Sequence, residues 1–422
     1  MRVTHVNAYD TSGGAARAAY RLHLGLRELG QDSRMIVLQK DSEDETVIAF
    51  KPRRDPAGRL RRMFKRRSLA ASRKRIGARL EGASYFSDDH CEHRADVLSQ
   101  LPQSDILHLH WIAEFLDYLD FFRAIPRGLP VVWTLHDMNP FTGGCHFDGE
   151  CGKYQEKCGA CPQIGSSKAD DLSAESWARK EKAFSSMGER AKHIVAPSEW
   201  LGREARKSSL LGRFPVTVIP YGIDIDKFKP RDKRAVRDNY RIPIEARVIL
   251  FVADWASEKR KGMDLLREAV QGMENDENLY FLAIGRGAST TGFGPRAIGI
   301  DYVRDDAALS LIYSAADALV VPSRQDNLPN TAIEALACGT PTIAFAVGGL
   351  PDIIRDGETG ILVPAEDVGA LRKAILRVSQ DTTWKAKMIE SCRRRALAEY
   401  ALEKQAKRYV RLYESLVRTE QR

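Results

Sequence analysis

Residues 316–345 read "ADALVVPSRQDNLPNTAIEALACGTPTIAF". The run "ADALVVP" reads as a strand. Residues 330–338 read as a helix that Pro329 opens and Gly339 closes. "TPTIAFAVGG" reads as the next strand. A strand, a helix and a strand in so short a span describe one crossover of a parallel sheet. Two acids, Asp326 and Glu334, flank the junction of loop and helix. A plain surface turn needs neither, which marks the junction as a binding site.

Outward from this stretch the alternation continues. Upstream lie strands at 246–254 ("ARVILFVAD") and in "LYFLAIG" and "GIDYV", with helices over 263–273 and 306–315. Downstream follow "GILVP", a helix over 367–379 and two charged amphipathic helices within 383–420. The first half repeats the pattern. It has strands at 2–7, in "RMIVLQ", and at 105–111, 130–136, 191–197 and 216–220. A helix with Ala15, Ala19, Leu22, Leu26 and Leu29 on one face ends at Gly30, and others cover 174–188 and 199–207. The pattern pauses at about 220–240, and 422 residues exceed one ordinary core. The expected fold is α/β, with two doubly wound domains in tandem. Residues 1–220 form the first, with a basic insertion at 51–80 and a cysteine-rich loop at 140–165. Residues 221–395 form the second, and a C-terminal helix within 396–422 packs back on the first.

Hydrophobic residues make up 43% of the chain. No apolar run is long enough to span a bilayer, and "MRVTHVNAYD" lacks the apolar core of a secretory signal, so a cytoplasmic location is expected. The net charge is +8. Residues 51–80 alone hold thirteen Lys or Arg against one Asp, so the excess belongs to one segment. It reads either as a solvated insertion or as a contact for anionic lipid, placing the protein peripherally on the inner face of a membrane. Leu60, Met63 and Phe64 there have the spacing of a helix face. A nucleic-acid partner is not expected.

In open α/β sheets, ligands bind beyond the C-terminal ends of the strands, and with two such domains the site is expected where both crevices face each other. Gly13 and Gly14 follow the first strand and open a helix, where free N–H groups suit a phosphate. They are not a G-x-G-x-x-G fingerprint, and Asp32 precedes the second strand rather than ending it, so a dehydrogenase is rejected. Lys259, Arg260 and Lys261 precede a helix of the second domain and could hold a diphosphate. Backbone N–H groups around Asn327, Leu328, Asn330 and Thr331 are expected to point into the crevice, with Asp326 at its lip and Glu334 one turn into the helix. His136 ends a strand. His108 and His110 are assigned to opposite faces of theirs. Asp224 and Asp226 resemble a metal-binding D-x-D but fall in the interdomain link and read as structural.

Together these residues carry a resemblance. "QDNLPNTAIEALACGTP" resembles the E-x7-E signature of the family 4 retaining glycosyltransferases, which have the two-domain GT-B fold. "SGGAARAAYRLHLGLRELG", "TLHD", "APSEWL", "VIPYGIDIDKFKP", "RKG" and "EALACGTPTIAF…GGLPDII" are similar to family segments in the same order. The resemblance is greatest to bacterial enzymes of exopolysaccharide and O-antigen assembly. It implies transfer of a hexose from a nucleotide-diphosphate sugar to a glycan or lipid-linked glycan acceptor, with catalysis by His136, Asp326 and Lys261. It implies donor contacts from Gly13, Gly14, Arg260, Asn327, Leu328, Asn330, Thr331 and Glu334, and no cofactor for catalysis. Asp326 stands where the family has glutamate, and "VADWAS" stands where the family often has Gly-Arg, so Arg260 or Lys259 must replace that arginine. A polyanion-binding protein without activity and a GT-B sugar-nucleotide epimerase are the other readings.

Seven cysteines are present, and Cys145, Cys151, Cys158 and Cys161 fall within one Gly-rich loop. Four thiolates suit a tetrahedral structural zinc. The spacing is not that of a zinc ribbon, so disulfides or free thiols stay open beside it.

Overall fold

The computed structural model describes residues 1–52, 56, 63–64, 67, 85–91, 93, 96–187, 192–273, 275–380 and 382–420. Most of the basic segment 51–80 therefore lies outside the described residues. Met63 and Phe64, which are described, are exposed. The chain divides into two compact units, Met1–Pro220 with Gln405–Arg422, and Tyr221–Lys404.

The first unit is built on seven strands: β1 (Arg2–Tyr9), β2 (Asp32–Gln39), β3 (Val47–Ala49), β4 (Ile106–Leu109), β5 (Val131–Thr134), β6 (Lys192–Ala196) and β7 (Val216–Val218). They pair in the order β3-β2-β1-β4-β5-β6-β7, and every pairing is parallel. All four residues of β4 and of β5 are buried, as expected of strands covered on both faces. One face packs an aromatic cluster that includes Phe121, Phe122, Trp133 and Phe184. On the other, Ala406, Tyr409, Tyr413 and Leu416 of the helix Leu402–Glu420 pack against Val3, Leu22, Ile106, Val132 and Val195. Their three- and four-residue spacing is one stripe of a helix.

The second unit has six parallel strands: β8 (Arg247–Trp255), β9 (Leu279–Arg286), β10 (Ala297–Ile300), β11 (Ala318–Val321), β12 (Thr342–Phe345) and β13 (Gly360–Val363). Their order is β10-β9-β8-β11-β12-β13. The stretch 316–345 thus forms β11, the helix Asn330–Ala337 and β12, with β11 beside β8.

In both sheets the order reverses once, at β1/β4 in the first unit and at β8/β11 in the second. Loops leaving a pair of strands at such a point run to opposite sides and leave an open crevice at the strand ends. The sequence does not announce β3 or the helix Tyr118–Ala124, both short and at the margin of periodic detection.

Candidate functional site

In the second unit, β8 leads through a bend to the 3₁₀ turn Lys259–Lys261, and β11 leads to Asp326. The two segments thus leave the sheet at its switch point. They are tied together by Arg324 N–H donating to Arg260 O at 2.8 Å. Lys261 Nζ lies 2.7 Å from Asp326 Oδ2, and Arg260 Nη1 lies 3.5 Å from the same oxygen. Arg260 Nη1 also donates to Gln325 O at 2.8 Å. Ser323 Oγ donates to Asp326 Oδ2, and Asn327 N–H donates to Asp326 Oδ1. Burial pushes the Asp326 carboxyl up, but Lys261 and Arg260 outweigh it and hold the group below its ordinary value.

Two glycines make this packing possible. A side chain on Gly262 would meet Pro322 O at 1.8 Å, and one on Gly348 would meet Asp326 O at 1.8 Å. Both have positive φ, at 72° and 56°. Gly349 N–H donates to Asp326 O at 3.1 Å. The loop after β12 therefore grips the backbone of Asp326. The residues "GG" at 348–349 belong to the matched segments of the sequence, but only the structure shows what they touch.

The remaining donor-side candidates divide. Asn327 and Leu328 are buried, and the Asn327 N–H is spent on Asp326 instead of pointing outward. Asn330 and Thr331 begin the helix and are half-buried. Glu334 is buried, and the hydroxyl of Tyr313 donates to its Oε2 at 2.8 Å. Lys259 lends its carbonyl to Arg324 Nη1 at 2.7 Å. Where the family often carries its arginine, β8 runs on to an exposed Trp255. Arg286, the last residue of β9, lies over the Trp255 ring at 5.3 Å and the Tyr302 ring at 4.7 Å. No sequence signal marked that cation.

In the first unit, Gly13 caps the helix Gly14–Glu28 after β1. His136 follows β5 by two residues, and His110 directly follows β4. His110 Nδ1 lies 3.1 Å from His136 Nε2, and His110 Nε2 lies 2.9 Å from His5 Nδ1. The three rings form a continuous hydrogen-bonded row. Burial lowers the His136 pKa to about 4 against the raising pull of Asp137. The assignment of His108 and His110 to opposite faces is wrong: their rings are 4.1 Å apart. Side chains alternate with a period of two, so residues two apart share a face. His108 is buried and bonded to Tyr413 Oη and Thr134 Oγ1, both at 2.7 Å.

Asp137, passed over in the sequence, is a hub. It accepts from Trp111 Nε1 at 3.0 Å, His146 Nδ1 at 2.6 Å and Asn139 N at 2.9 Å. Burial raises its pKa, yet His146 and these bonds leave it below the ordinary value. The loop that follows brings Cys145, Cys151, Cys158 and Cys161 around one cavity. Asp224 accepts from Asp226 N and Lys227 N and so closes a turn, a structural use of the D-x-D pair. Asp32 is the first residue of β2, at the end away from the crevice.

Similarity to known proteins agrees with this geometry. Residues 246–381 match the model of "Glycosyl transferases group 1", and residues 12–227 match that of "Glycosyltransferase Family 4". D-inositol 3-phosphate glycosyltransferase 2 of Catenulispora acidiphila is 37% identical over 179 residues, which are 38% of this chain and 41% of that protein. The chain spans about half the length of the curated relatives it matches. Sucrose-phosphate synthase from Thermosynechococcus elongatus superposes with a TM-score of 0.66 at 20% identity, over 99% of this chain and 100% of that one. HepE of Anabaena, solved in complex with UDP-glucose, superposes with a TM-score of 0.64 at 14% identity, over 98% of this chain and 100% of that one. Two Rossmann-like units of this kind make the fold GT-B, and the match over the N-terminal half shows that the chain belongs to glycosyltransferase family 4.

Proposed function

We propose that the protein is a retaining glycosyltransferase that moves a hexose from a nucleoside diphosphate to a glycan acceptor, lipid-linked, in cell-surface polysaccharide assembly. The observation that carries this reading is the junction of Lys261, Arg260 and Asp326 at the switch point of the second unit. Arg260 is also paired with Glu258 through Nε and Nη2, at 3.0 and 3.2 Å, so two cations and two carboxylates balance at the junction, and Lys261 and Arg260 are the cations a diphosphate would meet there. As the glycosidic bond breaks, negative charge grows on the leaving phosphate, and Lys261 and Arg260 stabilise it without reorganising. Asp326 accepts from sugar hydroxyls, His136 donates its Nδ1–H to a sugar oxygen, and Glu334 takes the ribose. Attack from the face the phosphate leaves retains the configuration, and the phosphate accepts the acceptor's proton. UDP-glucose in the HepE complex supports a nucleotide sugar as donor here.

Thermal-shift measurements with UDP- and GDP-sugars test the donor, since binding to the folded state raises the midpoint. A midpoint shift with one base, and release of that nucleotide only when a sugar acceptor is present, is the expected result. Nucleotide release without an acceptor, or sugar inversion without transfer, would overturn the reading.

The basic segment 51–80 is assigned to anionic lipid, which would bring the enzyme to a lipid-linked acceptor. No described helix is long and apolar enough to cross a membrane. Each cation near an anionic surface contributes about 1 kcal/mol. Wild type should bind vesicles containing anionic lipid and leave them in high salt. Replacing Arg61, Arg62, Lys65, Arg66 and Arg67 with Gln should abolish binding and spare transfer to a soluble acceptor. Unchanged binding in that variant would return the segment to a solvated insertion.

A further inference from the structure

We propose that Cys145, Cys151, Cys158 and Cys161 bind one zinc ion, and that this ion anchors the loop behind His136. The four residues are separated along the chain by loop, yet all line one cavity of about 20 Å³ in the first unit. That is room for about one water-sized sphere. All four carry free thiols, and Cys145, Cys158 and Cys161 are buried. Asp148 also lines the space.

The backbone around the sulfurs is arranged for anionic ligands. Gly143 N–H donates to Cys158 Sγ at 3.1 Å. Between Cys158 and Cys161 the chain turns sharply, with Gly159 at φ 154° and Ala160 at φ 44°. Ala160 is an uncommon left-handed residue, and it is held from several sides. Its N–H donates to Lys168 O at 2.8 Å, and Lys153 Nζ caps Gly159 O at 3.0 Å and Ala160 O at 2.7 Å. Such a turn brings two cysteines three residues apart to one point.

The second observation is a charge. Lys180 is fully buried, and its ammonium donates to Asn139 O and Thr142 O, which are neutral carbonyls. No ion pair among the described residues includes it. The carboxylates of Asp89 and Asp137 attract it without hydrogen-bonding it, and a buried ammonium with no directly paired anion is costly. Thr142 lines the cysteine cavity, so Lys180 stands one residue from its wall. Zinc with four thiolates carries a net charge of about −2, which would add to the attraction of Asp89 and Asp137 on this lysine.

A rival ligand set exists. Nitrogens of His5, His108 and His110 lie within 4.8 Å of one another, closer than the sulfurs. Both ring nitrogens of His108 and of His110 are already spent within the hydrogen-bonded network. Cys145 immediately precedes His146, which bonds Asp137, the neighbour of His136. An ion at the cysteines would thereby fix the position of the residue proposed to hold the sugar.

The test uses the full chain purified without chelator under reducing conditions. Elemental analysis should give about one zinc per chain. The cobalt-substituted protein should show thiolate-to-metal charge transfer and the intense visible bands of a tetrahedral site. The double variant Cys158→Ser/Cys161→Ser should lose the metal, and Cys338→Ser/Cys392→Ser should keep it. Should the first variant fail to fold, the cobalt spectrum of the wild type decides. Absence of zinc from folded wild type after reconstitution, or metal retained in Cys158→Ser/Cys161→Ser, would overturn the proposal, the latter moving the ion to the histidines. None of these readouts depends on transfer activity.

Discussion

Lys261 and His136 show what single residues can be asked. Lys261 Nζ donates to Asp326 Oδ2 at 2.7 Å, in a pocket that keeps Asp326 ionised. Lys261→Ala should lower kcat/KM about 100-fold or more, the scale of one lost transition-state charge partner. Its effect on folding should be small, because the side chain is part-exposed. Near-normal turnover would remove Lys261 from the mechanism. At His136 the question is which nitrogen holds the proton. His5 Nε2 is buried with no partner among the described residues. An orphaned donor is costlier than an orphaned acceptor, so that nitrogen is bare and His5 Nδ1 carries the proton. It then donates to His110 Nε2, and His110 Nδ1–H donates to His136 Nε2. The row fixes His136 as the Nδ1–H tautomer. Nitrogen-15 NMR of labelled protein at neutral pH should show this form, and His5→Phe should let it mix. An Nε2–H signal for His136 in the wild type would reverse the direction of the whole row. Asp326, Lys261 and His136 were legible in the sequence because motif spacing and strand ends mark them. His5, Asp137 and Arg286 were not, because their roles come from neighbours on other strands, which spacing along one strand does not encode.

At the scale of elements, the helix Leu402–Glu420 does more than cover the first sheet. Its Tyr413 Oη bonds His108 Nδ1 and its Tyr409 Oη bonds Thr134 Oγ1, each at 2.7 Å. The last helix therefore satisfies polar groups buried beneath β4 and β5. Its amphipathic stripe is plain in the sequence, as is the alternation that sets both parallel sheets. The polar pairing is not, since Tyr413 and His108 lie 305 residues apart. Tyr413→Phe keeps the ring and its packing but strands one nitrogen of a buried histidine. The expected loss is about 1–3 kcal/mol of stability, the cost of an unsatisfied buried group. Denaturant unfolding should show it as a lower midpoint with an unchanged slope. A loss below about 0.5 kcal/mol would mean that His108 finds another partner.

The whole molecule is chemically lopsided, and this gives its two units different responses to acid. All nine histidines fall within residues 1–220, and the second unit has none. Burial is the largest influence on His5, His23, His108, His110, His136 and His193, and it lowers each below the ordinary value of 6.5. For His23 and His136 the lowered value is about 4. A group with a folded pKa below its unfolded one binds fewer protons when folded. Stability then falls as pH drops through the unfolded value, and the loss continues down to the folded one. His23 and His136 each remove about 1.4 kcal/mol per pH unit across that interval. In the second unit the shifted acids are Asp264, Asp276 and Asp326, all held below 3.8. Their stabilisation is present above 3.8 and is lost only below it. Between pH 6.5 and 4 the first unit should therefore weaken while the second holds. Hydrogen exchange read by mass spectrometry should show β1, β4 and β5 losing protection in this window before β8, β11 and β12. Equal loss in both units, or earlier loss in the second, would show that the buried histidines do not control the acid response.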